Sequence, residues 1–223
     1  MLGCQWRDVL NQTQAQNIIN VALDLLDEVG YEGVTMRKLA DKLNIKAPTL
    51  YWHFKNKQEL IDKIADALLA DVAIKPLNSE ITWEEQIKLI AKDIRRALLS
   101  RRDGGLIYAG TVVPTENVFR VYHAIVNPLI RNNVQAITAG RFAFNILYFV
   151  LGFVIEEQGN KKINEKNYLN KVANLSSINL QNVLNNNLHM VLEDLFSDND
   201  EDRFEFGLDL LCQGLMTLQK KNP

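Results

Sequence analysis

The chain has 223 residues, a formal net charge of −2, 47% apolar and 23% charged side chains; that length holds one small domain plus one medium one, or a single all-helical unit. The slightly acidic total excludes a generic nucleic-acid coat, so any DNA binding must be confined to one patch. Cys4 and Cys212 lie far apart without metal-ligand spacing, which excludes a disulfide framework and reads as free thiols in a reducing cytoplasm. Few glycines and prolines (11 and 5) favour long helices. Residues 1–10 hold no apolar core of signal-peptide length. Residues 1–13 show no clear period, and we read them as a poorly ordered tail.

From about Gln14 the spacing predicts a helix with Ile18, Ile19, Ala22, Leu25, Leu26 and Val29 on one face. Gly30 stops it. Residues 35–57, TMRKLADKLNIKAPTLYWHFKNK, then read as two short helices joined by a tight turn. Thr35 is a natural N-cap, and Leu39, Ala40 and Leu43 face inward. Asn44 ends the first helix in the left-handed conformation. Pro48 opens the second, 48–54, where its missing N–H would be unpaired anyway. The three helices bury a small core against Leu50, Phe54 and Leu60.

Charge in this stretch is lopsided: Arg37, Lys38, Lys42, Lys46, Lys55 and Lys57 oppose only Asp41. A basic helix–turn–helix with Thr49, Tyr51, Trp52 and His53 on its second helix suits duplex DNA. That helix enters the major groove, while lysines, hydroxyls and the indole N–H reach phosphates.

These residues resemble a known family. Residues 18–57, with ALDLLDEVG, then GVTMRKLADKL, then PTLYWHFKNKQEL, resemble the N-terminal domain of the tetracycline-repressor (TetR) family of bacterial regulators. The resemblance implies that Arg37, Pro48, Thr49, Tyr51, Trp52, His53 and Lys57 lie on the DNA face, beside Lys46 and Ala47. Ala47 stands where tetracycline repressors carry a glutamine. A glutamine bonds an adenine edge with two hydrogen bonds, whereas alanine offers only apolar contact, so a different operator sequence is expected.

A fourth helix is predicted over 57–73, with Leu60, Ile64, Ala67, Leu68 and Val72 inward. In the family, the equivalent element joins head to body and its tilt sets the separation of two heads in a dimer. Residues 75–79, with Pro76, read as a linker. Thr82 caps the next helix, with Glu84 and Glu85 in its first turn where the helix dipole favours negative charge, and 101–105 ends it. ALLSRRDG at this end resembles the tetracycline-repressor body. A short apolar piece at 106–114 leads to a helix over 115–130, with Val118, Val121, Tyr122, Ile125 and Val126 inward.

Residues 135–158 form the most apolar helix. Its core, 142–155, is at 14 residues too short for a membrane span and reads as buried. A helix apolar nearly all round needs burial nearly all round, which a partner subunit supplies. Residues 159–187 read as a mobile connection with a turn of helix at 165–174, and 180–196 as a helix. The last helix, over 203–218, contains FGLDLLCQGL, which resembles the dimer-forming final helix of the tetracycline repressors. The expectation is an all-α homodimer. Its parts are a helix-turn-helix domain with connecting helix (14–73) and a larger effector-binding and dimerisation domain (80–220), the two subunits meeting in a four-helix bundle.

The resemblance also implies an effector pocket, and here the chain departs from the family. Tyr108 replaces the histidine that binds drug-held magnesium, and Thr111 is retained. Ile90 and Ile94 replace an asparagine and a phenylalanine, Ile125 a glutamine, and Val112-Val113-Pro114 the Arg-Pro that follows. Glu156, in LGFVIEEQ, is kept. The expected lining is Ile90, Ile94, Tyr108, Thr111, Ile125, Phe144, Leu147, Tyr148 and Glu156. It suits a hydrophobic small-molecule effector with one or two hydrogen-bonding groups rather than magnesium-tetracycline.

Catalysis is not expected. His53, His123 and His189 belong to different helices, and there is no GxSxG, phosphate loop or CxxC. The reading is a cytoplasmic, dimeric, ligand-responsive regulator, with no metal, cofactor or membrane partner. A small-molecule binding protein without DNA regulation is the alternative.

Overall fold

The computed structural model describes residues 2–74, 80–111, 114–160 and 199–221. Among these, every regular element is a helix: α1 Leu2–Gly33, α2 Met36–Lys42, α3 Ala47–Leu50, α4 Lys57–Leu68, α5 Trp83–Leu99, α6 Gly104–Ala109, α7 Glu116–Arg131, α8 Ala136–Asn160 and α9 Asp200–Lys221. Its contacts separate two compact units, Met1–Ile155 and Glu156–Pro223. The expected linker at 75–79 and the expected connection and helix across 161–196 lie outside the described residues.

In the first unit the head assembles as its sequence predicts. Ile18, Ile19, Ala22, Leu25 and Leu26 of α1 meet Leu39 and Ala40 of α2, Leu50 of α3, Phe54 and Leu60, all buried. Met36 joins them. The Thr35 hydroxyl accepts the Lys38 N–H at 3.2 Å, and Asn44 is left-handed at φ 55°. Three boundaries differ from expectation. The tail expected at 1–13 is helical from Leu2, continuous with α1. The second helix of the pair is one turn, Ala47–Leu50, after which Tyr51, Trp52 and His53 follow in tight i→i−3 turns. Short-range bonding wins there because only Leu50 and Phe54 are buried to hold a longer helix. Finally, α4 stops at Leu68, and turns carry the chain to a left-handed Ala73 (φ 53°).

The rest of the unit is a helical body. α5 starts on a full capping box, the Thr82 hydroxyl accepting the Glu85 N–H and the Glu85 carboxylate accepting the Thr82 N–H. Its apolar face, Ile87, Ile90, Ala91, Ile94 and Leu98, is buried, and α5 packs on α6 and α7. The short apolar piece read at 106–114 begins within α6, Gly104–Ala109. Gly104 permits this: a Cβ there would lie 2.1 Å from the Leu98 carbonyl oxygen. α4 packs on α1, α6 and α7 and so joins head to body.

α8 spans 25 residues, close to the helix expected over 135–158, and its apolar stretch runs beyond the 142–155 core read as too short for a membrane span. By length and composition it is long enough to cross a membrane. Its row Ala139, Phe142, Ala143, Ile146, Leu147, Val150 and Val154 is buried within the protein, whereas Ile137, Phe144 and Tyr148 are exposed. Trp83 meets Phe142 edge-on at 6.2 Å, and the Arg95 guanidinium lies over the Phe153 ring at 5.2 Å. In the second unit, Phe204, Leu208, Cys212 and Leu215 form the buried row of α9, and Phe206, Leu210 and Leu218 are exposed.

Candidate DNA interface and effector region

Leu50 and Phe54 are the anchors of α3, which leaves its other residues outside the core. Lys46 is the N-cap, extended and exposed, and Pro48 stands within the first helical positions. Thr49 is exposed, Tyr51 is 53% exposed and Trp52 89% exposed. A tryptophan that exposed contributes little to this unit's core, so its presence needs another cause. Ala47 is half-buried at the helix start. Arg37 projects from the first turn of α2. His53 is half-buried and tilted against Phe54, ring centroids 6.4 Å apart. Lys57 is exposed at the start of α4, its ammonium 5.7 Å from the centre of the Tyr31 ring. Within the patch, Lys42 is ion-paired to Glu28. The assembled surface offers cations, a hydroxyl, a phenol and an indole N–H, the groups that meet phosphate oxygens and groove edges.

The expected effector residues separate into two groups. Ile90 and Ile94 of α5 and Ile125 of α7 are buried, as is Leu147 of α8. Tyr108 on α6 is half-buried, and burial pushes its phenol pKa above the ordinary value. Thr111 donates its hydroxyl to the Tyr108 carbonyl at 2.8 Å. Phe144 and Tyr148, by contrast, are 48% and 65% exposed. They stack at 5.9 Å, and Tyr122 lies 5.1 Å from Phe144. Glu156 belongs to the second unit, where the Arg203 guanidinium pairs with it at 3.5 Å and also with Asp200 at 2.8 Å. Among the described residues no group of three or more His, Cys, Asp or Glu is placed to hold a metal.

Two polar connections were not anticipated from the sequence. The RRD of ALLSRRDG reaches back to α1. Arg101 pairs with Asp27 (2.6 Å) and Asp24 (3.3 Å), and the Arg102 N–H donates to Asp27 and its guanidinium to the Glu28 carbonyl. Asp103 accepts the Tyr31 N–H. The Asp27 hydrogen bond raises the Arg101 pKa, against an opposing effect of burial. A charge cluster after a helix was the available signal, but its partner lies over 70 residues away. The second connection joins α7 to the end of α4 through Asn117 and Arg120. At the other end of α4, Gln58 donates to the Gly110 carbonyl at 2.6 Å and to Asp62 at 3.0 Å.

A basic helix–turn–helix whose exposed residues serve no core, carried on a helical body through one connecting helix, defines a DNA-binding regulator. Comparison with known proteins agrees. Residues 18–64 match the model of the tetR family of bacterial regulatory proteins, and residues 75–219 that of the tetracyclin repressor-like C-terminal domain. The class A tetracycline repressor protein of transposon 1721 from Escherichia coli is 33% identical over 208 residues, covering 92% of each chain. The crystal structure of TetR from Acinetobacter baumannii AYE superposes with a TM-score of 0.69 at 31% identity, covering 92% of this chain and 97% of that one. A possible TetR family transcriptional regulator from Streptomyces coelicolor A3(2) superposes at 0.77 with 29% identity, covering 92% and 99%. The chain belongs to the TetR family of bacterial transcriptional regulators. Proteins of this family are soluble, ligand-responsive DNA-binding repressors that act as dimers and are generally non-enzymatic.

Proposed function

We propose that this chain is a cytoplasmic, dimeric repressor that binds a palindromic operator through α3 and is released by a small, largely apolar effector other than magnesium-tetracycline. The observation that carries the DNA half is the surface around α3: Tyr51 and Trp52 stand exposed between Lys46 and Lys57 on a head whose core closes without them. Arg37, Lys46, Ala47, Pro48, Thr49, Tyr51, Trp52, His53 and Lys57 are the proposed DNA-contacting set. The proposed domains are 14–73 and 80–220.

The effector half rests on the replacement of polar residues by apolar ones. Ile90 and Ile94 of α5 and Ile125 of α7 are buried on helices that pack together, none of them offers a hydrogen bond, and they form the proposed lining with Tyr108, Thr111 and Leu147. Phe144 and Tyr148, exposed in one chain, and Glu156 complete the site in the dimer. Ligand entering beside α6 shifts α4, and the two heads no longer match successive major grooves about 34–36 Å apart.

The test is selection of DNA from a random pool by the purified dimer, followed by anisotropy titration of the selected sequence. An inverted repeat is expected, and Tyr51→Ala is expected to weaken its binding while dimerisation and melting temperature hold. Selection of no sequence, with binding that ignores both sequence and salt, overturns the repressor assignment.

A further inference from the structure

α4 ends at Leu68, where the Leu69 and Ala70 N–H groups close back on the Asp66 and Ala67 carbonyls. The turns that follow expose further carbonyls, and α7 holds them. Arg120 donates from Nη2 to the carbonyls of Leu69 and Ala70, both at 2.7 Å, and from Nε to that of Val72 at 3.0 Å. Its Nη1 bonds Asn117 Oδ1. Asn117 in turn donates its backbone N–H to Asp66 Oδ1 at 2.8 Å. Its side-chain amide donates to the Asp66 carbonyl and to Oδ2, each at 3.0 Å. A guanidinium at a helix C-terminus also meets the negative end of the dipole.

Burial does not require this arrangement. Leu60, Ile61, Ile64, Ala65, Leu68 and Leu69 already seat α4 in the core. Apolar burial has little directionality and tolerates small rotations. Hydrogen bonds to carbonyls at three positions within one short stretch are directional and do not. The clamp therefore adds angle rather than area. A helix of this length is about 18 Å long, so a tilt of about 10° about its C-terminal end moves its head-bearing end by about 3 Å. That is close to the roughly 3.4 Å between successive base pairs.

We propose that Arg120 and Asn117, acting on Asp66 and the end of α4, are positioning residues that set which operator spacing the dimer accepts. The inference rests on the DNA-binding reading above, and it makes α7, with its buried Ile125, a second handle on α4 beside α6.

The experiment uses the full-length dimer. The operator selected by the wild type is remade with its half-sites one base pair closer and one farther apart, and all three are titrated with wild type, Arg120→Ala, Arg120→Lys and Asn117→Ala. The wild type is expected to discriminate between spacings by about tenfold, a common size for coupled sites, and Arg120→Ala by less than about threefold. Arg120→Lys, which keeps the charge and part of the bonding, is expected to restore part of the discrimination. Asn117→Ala, with the guanidinium–carbonyl bonds intact, serves if Arg120→Ala does not fold. Simple destabilisation lowers all affinities together and leaves their ratio unchanged, and an unchanged ratio in both alanine variants overturns the clamp. If the wild type selects no DNA, the DNA-binding reading falls first and takes the clamp with it.

Discussion

Asp103 Oδ2 accepts the backbone N–H of Tyr31 at 2.9 Å, so the residue that opens α6 completes the end of α1, 72 positions earlier. Asp103 does not cap its own helix with that side chain. It is left-handed at φ 56° and buried, and it faces Gly30, where α1 breaks at φ 71°, ψ 175° before its last turn to Gly33. A Cβ on Gly30 would lie 2.7 Å from that same oxygen. The head and the α5–α6 corner are thus keyed together by two backbone positions that most side chains avoid.

Gly30→Ala is expected to destabilise the protein by about 1–3 kcal/mol, because this backbone region is nearly glycine-only. Asp103→Ala leaves the Tyr31 N–H unpaired and is expected to cost about 1–3 kcal/mol, while Asp103→Asn, which keeps an acceptor and tolerates left-handed φ, costs less. Urea denaturation of the three variants checks the order.

Thr82→Ala removes one side of the capping box on α5 and is expected to lower stability by about 0.5–2 kcal/mol. Thr82→Ser should keep most of it. Equal losses in the two variants would show that the hydroxyl does not cap the helix.

Trp52→Ala is expected to reduce operator affinity while leaving the urea midpoint nearly unchanged, since the side chain is 89% exposed and serves no core. Lys46→Ala should weaken binding across sequences alike and flatten the salt dependence by about one phosphate contact. Anisotropy at several salt concentrations separates the two effects.

Burial raises the Tyr108 pKa. The folded protein therefore keeps a proton that the unfolded chain releases. The effect is absent well below the ordinary tyrosine value of 10.0 and destabilises the fold as pH rises past it. Denaturation midpoints across the alkaline range should fall less steeply in Tyr108→Phe than in the wild type.

Leu210 is 55% exposed on α9, between Phe206 and Leu218, and Gly214 on the same helix has open space around it. Apolar side chains so placed suit a helix-to-helix dimer contact. Leu210→Lys is expected to shift sedimentation toward monomer and to lose operator binding together with dimerisation.

Much of this protein is written in local pattern. Thr35 and Thr82 announce helix starts, Asn44 and Gly30 announce stops, and the inward positions of α1, α2 and α5 follow from helical spacing. Tyr51 and Trp52 were legible as surface residues because they stand as polar-tipped aromatics in a cationic stretch that resembles a DNA-binding head. Local signals failed where stability comes from a distant partner. The one-turn length of α3 and the stop of α4 at Leu68 depend on which carbonyls and side chains find partners across the fold. The effector residues show the same divide: Ile90, Ile94 and Ile125 read as apolar and are buried, but only packing reveals that Phe144 and Tyr148 of the equally apolar α8 face outward. The sequence alone determined the all-helical class, the cationic head and the family. The tertiary structure decided that Asp103 closes α1 and that Arg120 holds α4. A side chain's hydrogen-bond partner is set by how helices cross in space, and no spacing along one helix encodes that crossing.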